Sequence, residues 1–279
     1  MTMIYITIKT AEQIANNNRG ESDGNMTLLQ KVMGIDGQEY TTVSAEAIKW
    51  SIRYRLQELG RPVNRRWNPI KSVFEYVNEK RVGGFKVSQF DDDNLFGYML
   101  AKGAKELAED TQEDPESAES AEPKKRVPKP KGTCNKRRGV VECTRAVSTS
   151  PFCYNSVMNA LSTTDKGDTS LYSAEVHKTA YIYTLGINTK AIEGDMKDVL
   201  AAFLHALLTL GPVAGNHARF MYDFSPEEML VRITDDPCPR IIGKTVKEPG
   251  MIFYPEDLVL EYDRPLISIK TVAEILACL

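Results

Sequence analysis

The stretch V-S-A-E-A-I-K-W-S-I-R-Y-R-L-Q-E-L, residues 43–59, has the pattern of a helix that packs one face on a core. Ser44 is a suitable N-cap, because its hydroxyl can accept a hydrogen bond from an amide of the first turn. Glu46 lies in that turn, where negative charge favours the positive end of the helix dipole. Apolar residues recur at steps of three and four: Ala45, Ile48, Ile52, Leu56 and Leu59. The stretch therefore predicts an amphipathic helix.

Two cations, Lys49 and Arg53, lie four residues apart on a strip beside the apolar stripe. Cations at the border of a half-buried helix can position a phosphate chain. Taken from the helix alone, they are more simply solvated surface charges. The helix alone is compatible with a nucleic-acid contact but does not predict one.

The composition is typical of soluble globular proteins, with 42% hydrophobic and 26% charged residues in a chain of 279. This length suits one large domain or two small ones, with a substantial core. The formal net charge is −3, so the chain is not basic as a whole. Any nucleic-acid site must therefore be a local basic stripe.

The five cysteines form no C-x-x-C pair, and the chain has only three histidines. This pattern does not favour a zinc site, and scattered cysteines fit a reducing cytoplasm better than secretion. The alternating N-terminal segment does not predict a signal peptide, and no apolar run has the roughly 20 residues of a membrane span. We expect a cytoplasmic protein with no metal and no membrane contact.

Alternating and amphipathic segments predict the order of the fold. The predicted elements are a strand at 3–10, the helix at 43–59, strands at 137–152 and 173–192, a helix at 195–210, strands between 218 and 234, a short strand at 257–262 and a final helix at 272–279. A helix is also predicted at 69–80. The core order of strand, helix, strand, strand, helix, strand is that of the ferredoxin-like fold and the RNA-recognition motif.

We therefore expect an α+β fold in which residues 1–279 form a single domain. Both helices should cover one face of an antiparallel sheet, and the other face should be open to single-stranded nucleic acid. Residues 106–137 break the composition, because a block of acids is followed by a block of Lys and Arg. Such a segment cannot bury a core, so we expect a disordered insertion within the domain.

Several segments combine features suited to phosphate. The loop at 15–25 is rich in Asn and Gly and carries Arg19, so it is either surface loop or an amide nest for an anion. A second glycine loop follows at 211–219. Arg65 and Arg66 directly precede Trp67, which either stacks on a base or packs on the domain. Three acids at 91–93 do not predict a cation site, because consecutive carboxylates cannot all face one ion without a turn.

Four motifs in order resemble one family. They are N-N-R-G-E after the first strand, V-S-A-E-A-I-K-x-x-I-R-x-x-L at the first helix, N-L-F-G-Y-M at 94–99 and A-G-N-H-A-R at 214–219. Together they are similar to the backbone subunit of the CRISPR Cascade complex, the Cas seven family of the RAMP superfamily, in its DevR-like branch of types I-A and I-B. The similarity covers most of the chain outside 106–135.

The resemblance implies a non-catalytic, cofactor-free RNA-binding protein that polymerises head to tail along the CRISPR guide RNA. Its fold would be a modified RNA-recognition palm with inserted finger elements and a β-hairpin thumb that kinks the guide. Its partners would be the guide RNA, the target DNA strand, other copies of itself and other Cascade subunits. Phosphate contacts suit such sequence-independent holding, and base pairing then supplies specificity.

Candidate contacts to the guide follow from the motifs and from the basic segments. The motifs point to Asn18, Arg19, Ser44, Lys49, Arg53, Gly215, Asn216 and His217. The segment around Trp67 adds Arg65 and Arg66. We assign Arg137, Arg138 and Arg145 to the thumb.

Two alternatives remain open. Type III relatives cut target RNA with an acidic loop residue, and Asp23 and Asp36 lie in the corresponding N-terminal region. Another RAMP branch processes the guide precursor, often with a histidine near the first helix, but no histidine precedes His177 here. The chain could also be a generic single-strand binding module with a ferredoxin-like fold.

Overall fold

The N-terminal strand β1 (Met3–Thr10) lies inside an eight-stranded sheet. It pairs antiparallel with β16 (Tyr181–Asn188) on one side and with β17 (Pro226–Thr234) on the other. Ile6 is opposite Leu185 and Val231, so three buried apolar residues stand in line across the sheet. The computed structural model describes residues 3–17, 19–79, 84–102, 133–162, 169–215, 220–245, 257–263 and 267–279.

The other elements are numbered in chain order. The strands are β2 (Gln13–Ala15), β3 (Arg19–Asp23), β4 (Met26–Leu29), β5 (Lys31–Met33), β6 (Glu39–Val43), β7 (Arg65–Asn68), β8 (Val73–Tyr76), β9 (Gly97–Lys102), β10 (Thr133–Arg138), β11 (Val141–Cys143), β12 (Ala146–Ser148), β13 (Ser156–Ser162), β14 (Thr169–Glu175), β15 (His177–Thr179) and β18 (Leu258–Asp263). The helices are α1 (Ala45–Glu58), α2 (Asp91–Phe96), α3 (Met196–Leu208) and α4 (Ile269–Ala277).

The order across the main sheet is β18, β17, β1, β16, β12, β6, β5, and β11 also pairs with β16. Helix α1 precedes β11 and β12 in the chain, and α3 lies between β16 and β17. The four strands of the core motif, in chain order, are therefore β1, β12, β16 and β17. Across the sheet they lie in the order β17, β1, β16, β12, that is fourth, first, third and second. This is the arrangement of a ferredoxin-like motif. The α+β prediction is confirmed.

Helices α1 and α3 pack on one face of this sheet, as predicted. Ser44 caps α1 and accepts a hydrogen bond from the Ala47 amide at 3.2 Å. Asp195 caps α3 in the same way. The centre of the α1 stripe is fully buried, at Ile48, Ile52 and Leu56. Each such side chain contributes about 1.5–3 kcal/mol, so packing rather than helix propensity holds α1 in place.

The opposite face of the sheet is not open, which corrects the sequence prediction. A segment that we call the strap, residues 235–243, lies across it: the Tyr5 hydroxyl donates to the Pro237 carbonyl, and the Thr7 hydroxyl donates to the Ile241 carbonyl at 2.6 Å. Arg232 is fully buried beneath the strap. This explains why Tyr5 and Thr7, on the polar side of the alternating pattern, are also buried.

The chain between α1 and β11 forms a hairpin and a ribbon outside the main sheet. The predicted helix at 69–80 is wrong: β7 and β8 form a hairpin whose turn is fixed by the Asn68 carboxamide, which accepts from the amides of Ile70 and Lys71. The prediction of disorder is wrong for 133–137, because β10 pairs with β9. Residues 106–132 lie outside the described residues. Among the described helices, none is long and apolar enough to cross a membrane.

Candidate nucleic-acid interface

The two glycine- and asparagine-rich loops of the sequence lie against each other. The Asn17 carboxamide donates to the Val213 carbonyl at 2.6 Å. Gly215 has a φ of +88°, and a Cβ atom there would stand 2.2 Å from the Asn16 carbonyl oxygen. Only glycine fits this position without displacing the backbone. The structure therefore brings together the two loops that the motifs singled out.

Three of the predicted loop residues, Asn18, Asn216 and His217, lie outside the described residues. Arg19 begins β3, and only its backbone is described. Guide contacts by these four residues therefore remain a prediction. The neighbouring residues Asn17 and Val213 are held together by a hydrogen bond.

From the paired loops, a path of hydrogen bonds leads to the start of α1. The Asn16 carboxamide donates to the Glu175 carbonyl at 2.7 Å. The Glu175 carboxylate accepts from the Leu29 amide and pairs with Lys31, both at 2.8 Å. Gln30 follows Leu29, and its backbone carbonyl accepts a hydrogen bond from the Thr42 amide at 2.9 Å. Thr42 lies two residues before Ser44, the N-cap of α1. Loops and helix start are thus parts of one connected framework.

Arg145 stands beside the start of α1 and is exposed. Its guanidinium donates to the Gln30 side-chain oxygen and to the Thr42 hydroxyl, both at 3.1 Å. Both partners are neutral, so these bonds orient the guanidinium without cancelling its charge. A planar fork held in this way suits a phosphate.

Lys49 is half-buried one turn into α1 and makes no hydrogen bond or ion pair within the described part of the chain. Its charge reaches Cys143: burial raises the pKa of that thiol to about 12, and the Lys49 ammonium opposes the rise. A thiol with a raised pKa carries little of the reactive thiolate at neutral pH. We call the Gln30 side chain, Lys49 and Arg145 the entry surface. Thr42 is 1% exposed and holds Arg145 from within the protein. Sequence reasoning missed Gln30 and Thr42, because neither carries a charge or a motif.

Arg53, four residues after Lys49, is instead held inside the protein. Its Nε lies 3.2 Å from the Asp92 carboxylate, and its guanidinium carbon lies 5.2 Å from the Phe96 ring. The Arg53 side chain is 14% exposed. Burial lowers the pKa of Arg53, and Asp92 opposes that shift. This arrangement gives Arg53 a structural role between α1 and α2, in contrast to Lys49.

The acidic run at 91–93 is buried in α2 and satisfied by the protein. Asp91 pairs with Arg61 at 2.6 Å. Asp92 accepts from the Asn64 amide, and Asp93 accepts from the Asn64 carboxamide, both at 2.7 Å. Within the described ranges no cluster of three or more metal-ligating side chains is present. The run anchors the segment that follows α1.

Arg65 and Arg66 alternate across β7. The Arg65 guanidinium lies 4.0 Å over the Phe74 ring, and its buried Nε has no hydrogen-bond partner among the described residues. Arg66 points to solvent. Trp67 makes edge contacts with Phe74 at 5.1 Å and with Trp50 at 5.8 Å. These contacts favour the packing interpretation of Trp67 and leave Arg66 as the accessible cation.

The three arginines assigned to the thumb do not share one hairpin, which corrects that grouping. Arg137 lies on β10 and pairs with Glu193 at 2.6 Å, so it ties the ribbon to the body. Arg138 is 87% exposed and pairs with Glu142. Arg145 follows β11 in the main sheet. Of the predicted cations whose side chains are described, Lys49, Arg66, Arg138 and Arg145 are the most available to a ligand.

Comparison with known proteins gives the family. No family model matches the sequence. The chain is 35% identical over 249 residues to the CRISPR-associated protein Cas7/Cst2/DevR of Myxococcus xanthus (strain DK1622), and the match covers 86% of this chain and 74% of that protein. In fold it is similar to a chain of a CRISPR RNA-guided surveillance complex described as pre-nicking, with a TM-score of 0.62, 13% identity and coverage of 99% and 100%.

A chain of a second CRISPR RNA-guided surveillance complex has a TM-score of 0.55 at 15% identity, and the match covers 99% of both chains. At these identities the two structures show a shared fold, and the sequence match shows the family. The chain belongs to the Cas7/Cst2/DevR family of CRISPR-associated proteins.

Proposed function

We propose that this protein binds a CRISPR guide RNA without sequence preference and assembles along it as the backbone of a type I surveillance complex. Family membership and the two similar structures support this function. The observation that carries it is the connected framework from Gly215 to Arg145, which joins both predicted loops to the start of α1. The partners proposed are the guide RNA, the target DNA strand, further copies of the chain and other Cascade subunits.

The chemistry of the entry surface suits the phosphate backbone of a single strand. Arg145 offers an oriented guanidinium with neutral neighbours, and Lys49 offers an ammonium without an acidic partner in the described structure. Neither group can distinguish one base from another through a phosphate contact. Sequence-independent binding follows from contacts of this kind.

The strap changes where the RNA would run. In an RNA-recognition fold, bases stack on the exposed sheet face. Here that face is covered, because the strap carbonyls accept from Tyr5 and Thr7. The guide would therefore follow the loops and the entry surface instead of crossing the sheet.

We also propose that the protein is not an enzyme. Of the two acids considered for RNA cleavage, Asp36 is engaged by its own hairpin, since its carboxylate accepts from the Gln38 amide and the Tyr40 hydroxyl. Asp23 ends β3 in a different sheet. Incubation of the purified complex with complementary RNA and Mg²⁺ tests this, because cleavage that Asp23→Ala or Asp36→Ala abolishes would contradict the proposal.

Co-expression with a CRISPR array and purification of the tagged protein test the main function. We expect a large complex that carries RNA of uniform length, protected from ribonuclease. A co-expressed RNA of equal length without repeats serves as the control for non-specific capture. Recovery of the chain as an RNA-free monomer in the presence of the array would overturn the proposal.

A further inference from the structure

The turn between β5 and β6 presents an apolar surface at one edge of the main sheet. In this hairpin tip, residues 32–37, Ile35 is fully exposed, Met33 is 67% exposed and Val32 is 38% exposed. Strand β5 is the last strand at this edge and pairs with β6 alone in the described part of the chain. Exposed apolar groups on a sheet edge commonly mark a surface that a partner covers.

Hydrogen bonds and a glycine turn hold the hairpin tip in shape. The Gly34 amide donates to the Gln38 carbonyl at 2.7 Å, and Gly37 supplies the positive φ that the turn requires. Asp36 accepts from the Gln38 amide at 3.0 Å and from the Tyr40 hydroxyl at 2.7 Å. The Tyr40 bond is the larger cause that holds the pKa of Asp36 below its ordinary value. An ordered tip loses little conformational freedom when it docks.

A concavity lies between α3 and α4. This helix groove has a volume of about 350 Å³. Its lining is mainly small and apolar: Ala201, Ala202 and His205 from α3, and Val272, Ala273 and Leu276 from α4. The alanines leave the space that larger residues would fill. The Arg61–Asp198 ion pair, at 2.6 Å, lies in the wall of the groove.

The two features lie at opposite edges of the molecule. Helix α4 is tied to β18 by a hydrogen bond between the Tyr262 hydroxyl and Glu274 at 3.1 Å. Strand β18 ends the sheet at the side opposite β5. When two different surfaces on opposite edges of one protein bind each other in successive copies, the contact can repeat without forming a closed ring. The result is a chain of subunits.

We propose that the hairpin tip of one copy docks in the helix groove of the next copy, with Ile35 and Met33 as the buried anchors. Charge supports a second copy as the occupant. Asp36 brings a carboxylate to the groove, where the exposed Lys197 already reaches across to the Leu276 carbonyl at 3.4 Å. The acid in the described lining, Asp198, pairs with Arg61, which also pairs with the buried Asp91, so the charge available to Asp36 is that of Lys197. This inference rests on the proposed backbone function and names the surface through which it assembles.

Two variants remove the contact from opposite sides. Ile35→Asp places a charge at the tip, and Ala273→Trp fills the groove from an exposed helical position. In analytical ultracentrifugation with a long guide RNA, we expect each variant to lower cooperative loading at least about tenfold, as loss of an interface anchor does. Ile70→Asp is the matched control, because Ile70 is 94% exposed on a different hairpin; it should load like the wild type.

Mixing the two variants gives the sharpest test. The Ile35→Asp copy keeps an intact groove, and the Ala273→Trp copy keeps an intact tip. The mixture should form a one-to-one dimer that neither variant forms alone, and it should not grow further. Lys197→Glu, at an exposed position, gives a second groove variant with an unchanged core. Wild-type loading by both single variants, or absence of the mixed dimer, would overturn the interface.

The affinity for a short RNA that holds one copy separates this inference from the proposed function. Both variants should bind the short RNA like the wild type, because the tip and groove lie outside the entry surface. If the wild type bound neither short nor long RNA, the proposed function would fail, and the mixed-dimer experiment without RNA would still decide the interface.

Discussion

Gly215 is the residue on which the meeting of the two loops depends. An added Cβ would lie 2.2 Å from the Asn16 oxygen and 2.8 Å from the Asn17 Cα, at a φ of +88°. We predict that Gly215→Ala lowers the free energy of unfolding by about 1–3 kcal/mol, measured by urea denaturation. Gly211→Ala is the control, because its Cβ would meet open space; equal losses for both variants would contradict the prediction.

Arg53 and Lys49 are neighbours on α1 with different surroundings, because Arg53 pairs with a buried acid and Lys49 does not. Arg53→Ala leaves the Asp92 carboxylate, 1% exposed, without its charge partner. We predict a loss of about 3–5 kcal/mol in the free energy of unfolding. Lys49→Ala should change it by less than about 0.5 kcal/mol, as most surface substitutions do. Denaturation curves that rank the two variants the other way would contradict the structural role given to Arg53.

The sequence could predict the cap and stripe of α1, because these depend on residues within one turn of each other. It could not separate Arg53 from Lys49. The partner of Arg53, Asp92, is 39 residues away, and the same carboxylate also accepts from the Asn64 amide. Pairing between distant segments is set by packing, which leaves no periodic signal. The acids at 91–93 could not be explained from the sequence for the same reason, because their partners Arg61 and Asn64 lie in a distant segment.

At the scale of segments, the strap is held in part by the Asp236 carboxylate, whose charge depends on pH. Hydrogen bonds from Arg240 and from the Cys238 amide are the main causes that keep the pKa of Asp236 well below its ordinary value, and Arg232 adds to them. A depressed pKa means that the contribution of Asp236 is present above the unfolded pKa and is lost as the pH falls through the folded pKa.

We therefore predict that Asp236→Asn is less stable than the wild type at pH 6. The difference between the two should shrink as the pH falls below about 4, where the carboxylate of the unfolded chain is protonated. Urea denaturation from pH 6 to pH 3 measures it. Asp263→Asn, on the edge strand β18, is the control for a general effect of charge. A difference that grows on acidification would refute the role of Asp236.

The β7–β8 hairpin shows where element prediction failed. Residues 69–80 carry apolar residues at mixed spacing, and the Asn68 turn cannot be told from a helix start by sequence, because in both cases a side-chain oxygen caps backbone amides. Contacts of Trp67 with Phe74 and Trp50 decide in favour of strands. The strand predicted within 173–192 includes β16, where Tyr181, Tyr183, Leu185 and Ile187 alternate along one face and are all buried.

For the whole molecule, the order of strands and helices was sufficient to predict the ferredoxin-like core. The order records which elements are long and periodic, and the packing rules leave few topologies for it. The strap was not predictable, because its hold on the sheet comes from single hydrogen bonds of Tyr5 and Thr7 to carbonyls more than 230 residues away. With that face covered, the proposed route of the RNA follows the loops and the entry surface.

The salt dependence of RNA binding tests that route most directly. For single strands, each phosphate contact contributes about 0.7 to the slope of log K against log salt. The double variant Lys49→Ala with Arg145→Ala should therefore lower the slope by about 1.4 on two RNAs of unrelated sequence. Lys71→Ala, an exposed lysine paired with Glu75, should leave it unchanged. An unchanged slope in the double variant, or binding confined to one of the two sequences, would contradict phosphate-based holding at the entry surface.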